Sequence, residues 1–193
     1  MLKQTGNRNL KLYIAASMDG YIAGPNGEID WLEEAGSNLD YGYHDFYSSI
    51  DTTVMGSSTY KLTLTVSEFP YADKVNYVFT RSAPPPDTAN VRFVSGDIVS
   101  FVESLKSLPG KDIWLVGGGQ INTVMLDAGL IDEIILTIFP LVLGDGIPLF
   151  APGANLTRFR TTSCESYETG LVQWRMTRVQ ETIEREQHTC ALA

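Results

Sequence analysis

Residues 113 to 134 read IWLVGGGQINTVMLDAGLIDEI, and the pattern of this segment changes at three consecutive glycines, Gly117, Gly118 and Gly119. An unbroken apolar run precedes the glycines, as is typical of a strand that is buried on both faces of a sheet. Each glycine costs backbone entropy, so a bend made of three of them calls for a physical reason. After the bend, apolar residues recur at helical spacing, at Ile121, Val124, Met125 and Ala128.

The glycine bend has two interpretations. The start of a helix carries unpaired N–H groups and the positive end of a dipole, and glycines let a phosphate reach that backbone without meeting a Cβ atom. The segment does not match the GxGxxG pattern, because Gln120 follows the triplet and no later glycine has the right spacing, so the two-strand dinucleotide fingerprint is not predicted. The alternative is a tight turn between strand and helix that binds no ligand.

Strands and helices alternate along the rest of the chain. Asp97 is predicted to cap a helix after the fourth strand-like segment. The C-terminal segment 158–179 predicts a hairpin that turns near Thr169 and Gly170, since apolar Val172, Trp174 and Met176 alternate with polar residues. We therefore expect an α/β fold with a mostly parallel central sheet and an antiparallel C-terminal hairpin. The segments predicted as strands before the hairpin are 10–17, 52–56, 75–82, 91–94, 112–116 and 131–140.

Size and composition restrict the class of protein. The chain has 193 residues, of which 44% are hydrophobic, enough for one well-buried core. No linker divides it, so we expect a single domain over residues 1–180 and a polar tail over 181–193. The net charge of −9 argues against nucleic-acid partners and against docking on an anionic membrane.

The remaining composition argues for a reduced, cytoplasmic protein. No stretch approaches the ~20 apolar residues of a membrane span, and the N-terminal residues lack the pattern of a signal peptide. The two cysteines, Cys164 and Cys190, form no CxxC pair, so neither a metal site nor a dithiol redox site is expected.

Five segments occur in the order that is found in the dihydrofolate reductase superfamily. They are LYIAASMDGYIAG (12–24), VMGSSTY (54–60), YVFTRS (77–82), IWLVGGGQI (113–121) and LIDEIILTIFPLVLGDGIPLF (130–150). The chain most resembles the branch that contains the riboflavin-biosynthesis reductase domain and bacterial dihydrofolate-reductase-like proteins. The resemblance extends over residues 10 to 178, and it implies the three-layer fold of dihydrofolate reductase.

The resemblance implies NADPH as the hydride donor, bound across the carboxyl ends of the strands. Gly117, Gly118 and Gly119 with Gln120 and Ile121 would face the pyrophosphate, and a cis peptide is expected between the first two glycines. The other positions that match contacts to the nicotinamide or to the phosphates are Ala15, Ile22, Gly56 and Thr59.

One expected cofactor contact is missing from the sequence. The arginine that usually follows the glycine of the second segment is replaced by Ser57. Arg81 is the candidate substitute for binding the adenosine 2′-phosphate, because a guanidinium can form two bonds with it. The alternative is a loop arginine in solvent.

The proton donor is less clearly defined. In dihydrofolate reductases a buried carboxylate is held by a threonine of a later strand, and Thr137 matches that threonine. Asp40 lies at the expected distance before VMG, and Asp19 opens the loop over the nicotinamide, although it is also a typical turn residue. A useful acid would have a raised pKa in an apolar pocket. The competing carboxylates are Asp30, Glu33, Glu34 and Asp45.

We therefore expect a reductase that transfers a hydride from NADPH to a small heteroaromatic compound, a pterin or an aminopyrimidine. The reaction of 5-amino-6-(5-phosphoribosylamino)uracil reductase is one form of it. The alternatives are a true dihydrofolate reductase and a nucleotide-binding module without catalysis. Trp31 could stack on the substrate ring or close the core. The resemblance also implies a homodimer.

Overall fold

The structure, a computed structural model, describes residues 8–35, 40–66 and 69–179. The predicted tail 181–193, with Cys190, lies outside these ranges. Four α-helices are described: α1 Tyr43–Ser49, α2 Ser57–Val66, α3 Ile98–Ser107 and α4 Gly119–Asp127, and a 3-10 helix spans Asp30–Ala35. The strands are β1 Leu10–Ser17, β2 Tyr21–Ala23, β3 Ile50–Gly56, β4 Val75–Phe79, β5 Val91–Val94, β6 Asp112–Gly117, β7 Ile131–Phe139, β8 Ile147–Pro148, β9 Phe159–Ser166 and β10 Val172–Arg178.

Eight strands form one sheet in the order β5-β4-β3-β6-β1-β7-β10-β9. Neighbours from β5 to β7 run parallel, whereas β10 is antiparallel to both β7 and β9. The predicted fold class is therefore confirmed. The short strands β2 and β8 pair separately above the carboxyl edge of the sheet, a contact that connects two distant loops.

Helices cover both faces of the sheet. One face packs its apolar side chains against α3 and α4, which contribute Val102, Leu105, Met125 and Leu126. The other face lies under α1, where Phe46 stacks on Tyr13 with a ring-centroid distance of 4.4 Å and meets Trp114 edge-on. Among the described helices, none is long and apolar enough to cross a membrane.

Short sequence motifs correctly predicted where one helix begins and where the C-terminal hairpin turns. The Asp97 side chain accepts hydrogen bonds from the N–H groups of Val99 and Ser100, as expected of a cap. Gly170, with φ of 85°, lies in the hairpin turn between β9 and β10. On β10, however, Gln173 is 2% exposed and Trp174 is 42% exposed. Gln173, a polar residue of this strand, is therefore buried, and it lies opposite Thr137 of β7.

Candidate active site

Two glycine bends lie side by side at the carboxyl edge of the parallel strands. Strands β3 and β6 are neighbours, with Met55 opposite Gly117, and they lead into α2 and α4. A Cβ atom added to Gly56 would lie 3.3 Å from Cγ1 of Ile121 and 3.9 Å from the carbonyl oxygen of Gly117. The positive ends of two helix dipoles therefore meet at one cleft, where they would stabilise an anion.

Gly117 and Gly118 line this cleft with backbone alone. Gly117 has φ of 114°, and the peptide bond between the two residues is cis, as the resemblance implied. A Cβ atom on Gly118 would have Oγ1 of Thr59 at 3.4 Å and Cδ1 of Ile22 at 4.0 Å as its nearest neighbours. We call this space the glycine cleft; its borders are Ile22, Gly56, Thr59, Gly117, Gly118 and Ile121.

Gly119 is a glycine for a different reason. A Cβ atom there would lie 2.2 Å from the carbonyl oxygen of Pro148 in β8. The same end of α4 is held by Asn122, whose buried amide donates to the carbonyl oxygen of Leu149 at 3.0 Å. The resemblance implied that all three glycines face a pyrophosphate, but the side-chain position of Gly119 packs against β8 and only its N–H group remains at the helix start.

Unpaired backbone donors are available at the start of α4. The N–H group of Asn122 donates to the carbonyl oxygen of Gly118 at 3.0 Å, so the N–H groups of Gly119, Gln120 and Ile121 precede the first intrahelical bond. Gly118 has no side chain of its own and is partly exposed, so a ligand would meet backbone at the helix start. The chemistry of this donor set fits the diphosphate of a dinucleotide cofactor.

Arg81 lies at the rim of the glycine cleft. Its Nη2 atom donates to Oε1 of Gln120 at 2.6 Å, and both residues are exposed. The bond holds the guanidinium beside the start of α4. A phosphate next to the cleft would therefore find a cation at its edge, and the contact to an adenosine 2′-phosphate stays a prediction.

The Asp19 carboxylate connects the loop after β1 with the loop before β8. It accepts from the Ser17 hydroxyl at 2.6 Å, from the N–H of Leu143 at 3.1 Å and from the N–H of Gly144 at 2.8 Å. Its pKa is lowered by the Ser17 hydroxyl and by these N–H groups. These contacts hold the two loops that lead into β2 and β8, so the geometry gives Asp19 a positioning role, whereas its catalytic role stays a prediction.

We expect the Asp19→Asn variant to loosen this connection, because an amide offers one oxygen in place of two and turns an NH2 group toward the donors. Amide hydrogen exchange of Leu143 and Gly144, followed by NMR, should become several-fold faster. Asp145→Asn is the control, since among the described residues that carboxylate accepts a hydrogen bond only from the adjacent Gly146 N–H.

The pH dependence of the same connection follows from the lowered pKa of Asp19. A depressed folded-state pKa means that the stabilisation is complete above the ordinary value of 3.8 and is lost as the pH falls through the folded-state value. In the wild type, exchange at Leu143 and Gly144, corrected for its intrinsic pH dependence, should therefore accelerate only in acid. An unchanged corrected rate in acid would contradict this role.

A polar network lies beside the cleft on the face of the sheet covered by α1. Ala15 is opposite Thr137, and Thr137 is opposite Gln173. The buried Gln173 amide donates to Oγ1 of Thr137 at 3.1 Å and to the carbonyl oxygen of Tyr41 at 3.0 Å. The Tyr13 hydroxyl donates to the same carbonyl oxygen at 3.3 Å. Neither Tyr13 nor Gln173 was predicted from the sequence.

Tyr13 retains its proton at neutral pH. Burial raises the pKa of its phenol, and the charge of Asp40 acts in the same direction. The hydroxyl is therefore a hydrogen-bond donor throughout the physiological range. A tyrosine hydroxyl within the buried strand 10–17 was the sequence signal that could have indicated this residue.

The structure does not form the expected pair of threonine and carboxylate with Asp40. The exposed Asp40 carboxylate accepts from the N–H of His44, with both oxygens at 3.1 Å, and so binds the first turn of α1. The hydroxyl of Thr137 contacts Gln173 instead. Asp40 still lies near enough to influence the pKa of Tyr13. Of the competing carboxylates, Asp30 and Asp45 are exposed, and the side chains of Glu33 and Glu34 lie outside the described part.

Trp31 packs in the core next to the network. It is 6% exposed and meets Phe139 edge-to-face, with ring centroids 5.0 Å apart. Its indole N–H has no hydrogen-bond partner among the described residues. Of the two roles open to Trp31, the structure therefore favours closing the core, and it leaves one buried donor unused.

The sheet order, the cis glycine pair and the two glycine bends define a reductase-like α/β domain with the fold of dihydrofolate reductase. The dihydrofolate reductase of Enterococcus faecalis, solved as a complex with NADP(H), superposes with a TM-score of 0.64 over 89% of this chain and 97% of that one. Its sequence identity is 14%, so this likeness concerns the fold.

The chain belongs to the RibD C-terminal domain family, whose sequence profile matches residues 8–173. The uncharacterized protein YwjB of Bacillus subtilis (strain 168) is 40% identical over 161 residues, which are 83% of this chain and 92% of that protein. A crystal structure of a Shewanella sp. PV-4 protein assigned to riboflavin biosynthesis has 29% identity and a TM-score of 0.80, and covers 89% of this chain and 99% of that one.

Proposed function

We propose that the protein is an NADPH-dependent reductase that transfers a hydride to a small heteroaromatic substrate, a pterin or an aminopyrimidine. The observation that carries the proposal is the glycine cleft, in which the starts of α2 and α4 meet and a Cβ atom at Gly118 would make only ordinary van der Waals contacts. Membership of the RibD C-terminal domain family supports a reductase of this kind.

The residues of the cleft would each have a binding role. The N–H groups at the starts of α2 and α4 would hold the diphosphate, and Arg81 would pair with the 2′-phosphate. Ala15 has a short side chain and lies next to Thr137, which leaves room for a flat nicotinamide, and Ile22 would cover its other side. Bound NADPH would supply the hydride, while the protein orients the reacting groups.

The polar network would bind the substrate ring. The hydroxyl groups of Thr137 and Tyr13 and the amide oxygen of Gln173 supply both donors and acceptors, which the edges of pterins and aminopyrimidines require. The Tyr13 hydroxyl, whose one proton is donated to the carbonyl oxygen of Tyr41, would offer an acceptor to the ring, and Asp40 remains a predicted proton source. A homodimer and a single domain over residues 1–180 also stay predictions.

A nucleotide-binding module without catalysis is the second candidate. One observation favours it: in the described part of the chain, the Thr137 hydroxyl binds an amide and not a carboxylate. The same observation weighs against a true dihydrofolate reductase, in which a carboxylate is expected at that place.

Titration of the purified protein with NADPH tests the proposal. Energy transfer from tryptophan to the reduced nicotinamide should give a dissociation constant on the order of micromolar. Arg81→Ala should raise the dissociation constant for NADPH about tenfold and leave that for NADH unchanged. Arg92→Ala, which removes an exposed cation from β5, is the control.

The two candidates differ in the turnover assay. Oxidation of NADPH in the presence of a pterin or an aminopyrimidine supports the reductase. Binding of NADPH without turnover of any such compound would favour the binding module, and absence of binding for both reduced cofactors would reject both candidates.

A further inference from the structure

Arg175 extends the row of residues that crosses the candidate substrate side. Tyr13 of β1 is opposite Ile135 of β7, and Ile135 is opposite Arg175 of β10. The adjacent row on the same face consists of Ala15, Thr137 and Gln173, because side chains two residues apart on a strand share a face. Arg175 therefore lies about 7 Å along β10 from Gln173, roughly one ring width from the network.

The guanidinium of Arg175 makes neither an ion pair nor a side-chain hydrogen bond with any residue of the described chain. It lies against the start of α1, where a Cβ atom on Gly42 would be 3.1 Å from Nη2. Its charge lowers the pKa of Tyr13 and of Tyr167, although burial has the larger effect and raises both. The half-buried cation thus lies against Gly42 and near enough to two phenols to influence their pKa values.

The other described arginines do not share this situation. The chain has 23 acidic and 14 basic residues, so carboxylates are plentiful, yet Asp40 influences Tyr13 without forming an ion pair with Arg175. A half-buried guanidinium without an acceptor is unfavourable. Arg8, Arg81, Arg92 and Arg178 donate to oxygens of other residues, and Arg158 and Arg160 are exposed.

We infer that Arg175 binds an anionic substituent, a carboxylate or a phosphate, on a substrate ring bound at the polar network of Thr137 and Gln173. Arg175 thereby determines specificity: the site prefers acidic ring compounds over uncharged ones. A planar guanidinium forms paired bonds with either anion. The inference rests on the proposed function, since it assumes that a substrate ring occupies the polar network.

Calorimetric titration with two matched pairs of compounds tests the inference. The first pair is pterin-6-carboxylate and pterin, and the second is uridine 5′-monophosphate and uridine. The wild type should bind the charged member of at least one pair about tenfold to a hundredfold more tightly. The pair that shows the preference identifies the anion as carboxylate or phosphate.

Arg175→Gln should abolish the preference and leave the affinity for the uncharged compounds unchanged. Arg160→Gln removes the same charge from an exposed position of β9 and should retain the preference. Arg175→Lys keeps the charge but lacks the planar guanidinium, so it should retain part of the preference for the charged compound. It also provides a second variant if Arg175→Gln does not fold.

Equal affinities within both pairs for the wild type would overturn the inference, as would absence of binding for all four compounds. Equal losses in Arg175→Gln and Arg160→Gln would also overturn it, because they would indicate a general effect of charge. NADPH titration of the same samples separates the two proposals: bound NADPH without a charge preference rejects only the role of Arg175. A charge preference without NADPH binding rejects only the proposed cofactor.

Discussion

Gly118→Val is expected to weaken NADPH binding about a hundredfold, while the thermal stability changes little. The backbone at Gly118 is extended, with φ of −83° and ψ of −170°, a conformation that valine adopts readily. The nearest atom to a Cβ there is Oγ1 of Thr59 at 3.4 Å, which is an ordinary van der Waals contact. The valine side chain would fill the glycine cleft and keep a diphosphate from the N–H groups at the helix start.

Fluorescence titration gives the affinity, and a thermal melt of the same sample gives the stability. Ala128→Val adds comparable apolar bulk just after the last residue of α4, where the side chain is exposed, and should change neither quantity. Undiminished NADPH binding by Gly118→Val, with the fold intact, would show that the cofactor does not use this cleft.

Gly119→Ala should have the opposite effect and reduce stability strongly. Its Cβ atom would lie 2.2 Å from the carbonyl oxygen of Pro148, and since this is a backbone atom, no side-chain rotation relieves the clash. Either α4 or β8 must move, which we expect to lower the free energy of unfolding by about 3 kcal/mol.

Urea unfolding measures this loss. Gln120→Ala changes the neighbouring residue, which is exposed, and should cost less than about 1 kcal/mol. Wild-type stability in Gly119→Ala would mean that the contact between α4 and β8 is adjustable and that the third glycine has no packing role.

The sequence was sufficient for features that depend on short segments. The strand, glycine bend and helix at 113–134, the Asp97 cap and the turn at Gly170 each follow from residues within a few positions of one another. The resemblance added the strand arrangement and the cis bond between Gly117 and Gly118. The local features could be predicted without knowing which distant segments contact each other.

Contacts between distant segments account for what the sequence did not predict. The alternating pattern of β10 identified the strand, but only its pairing with β7 reveals that Gln173 is buried beside Thr137. Nothing near Gly119 indicates that Pro148 packs on it. Asp40 was chosen by its distance from VMG, yet the path of the chain before α1 directs its carboxylate to the helix backbone.

The antiparallel end of the sheet has a consequence for how new specificities arise. The glycine cleft is built from β2, β3 and β6 with the helices α2 and α4, whereas Gln173 and Arg175 belong to a hairpin added at the far side of β7. If the proposed reductase function holds, changes in that hairpin would alter which compound is accepted while the electron source stays the same. Relatives that share the glycine bends but differ in the hairpin are therefore expected to diverge in substrate and to agree in cofactor.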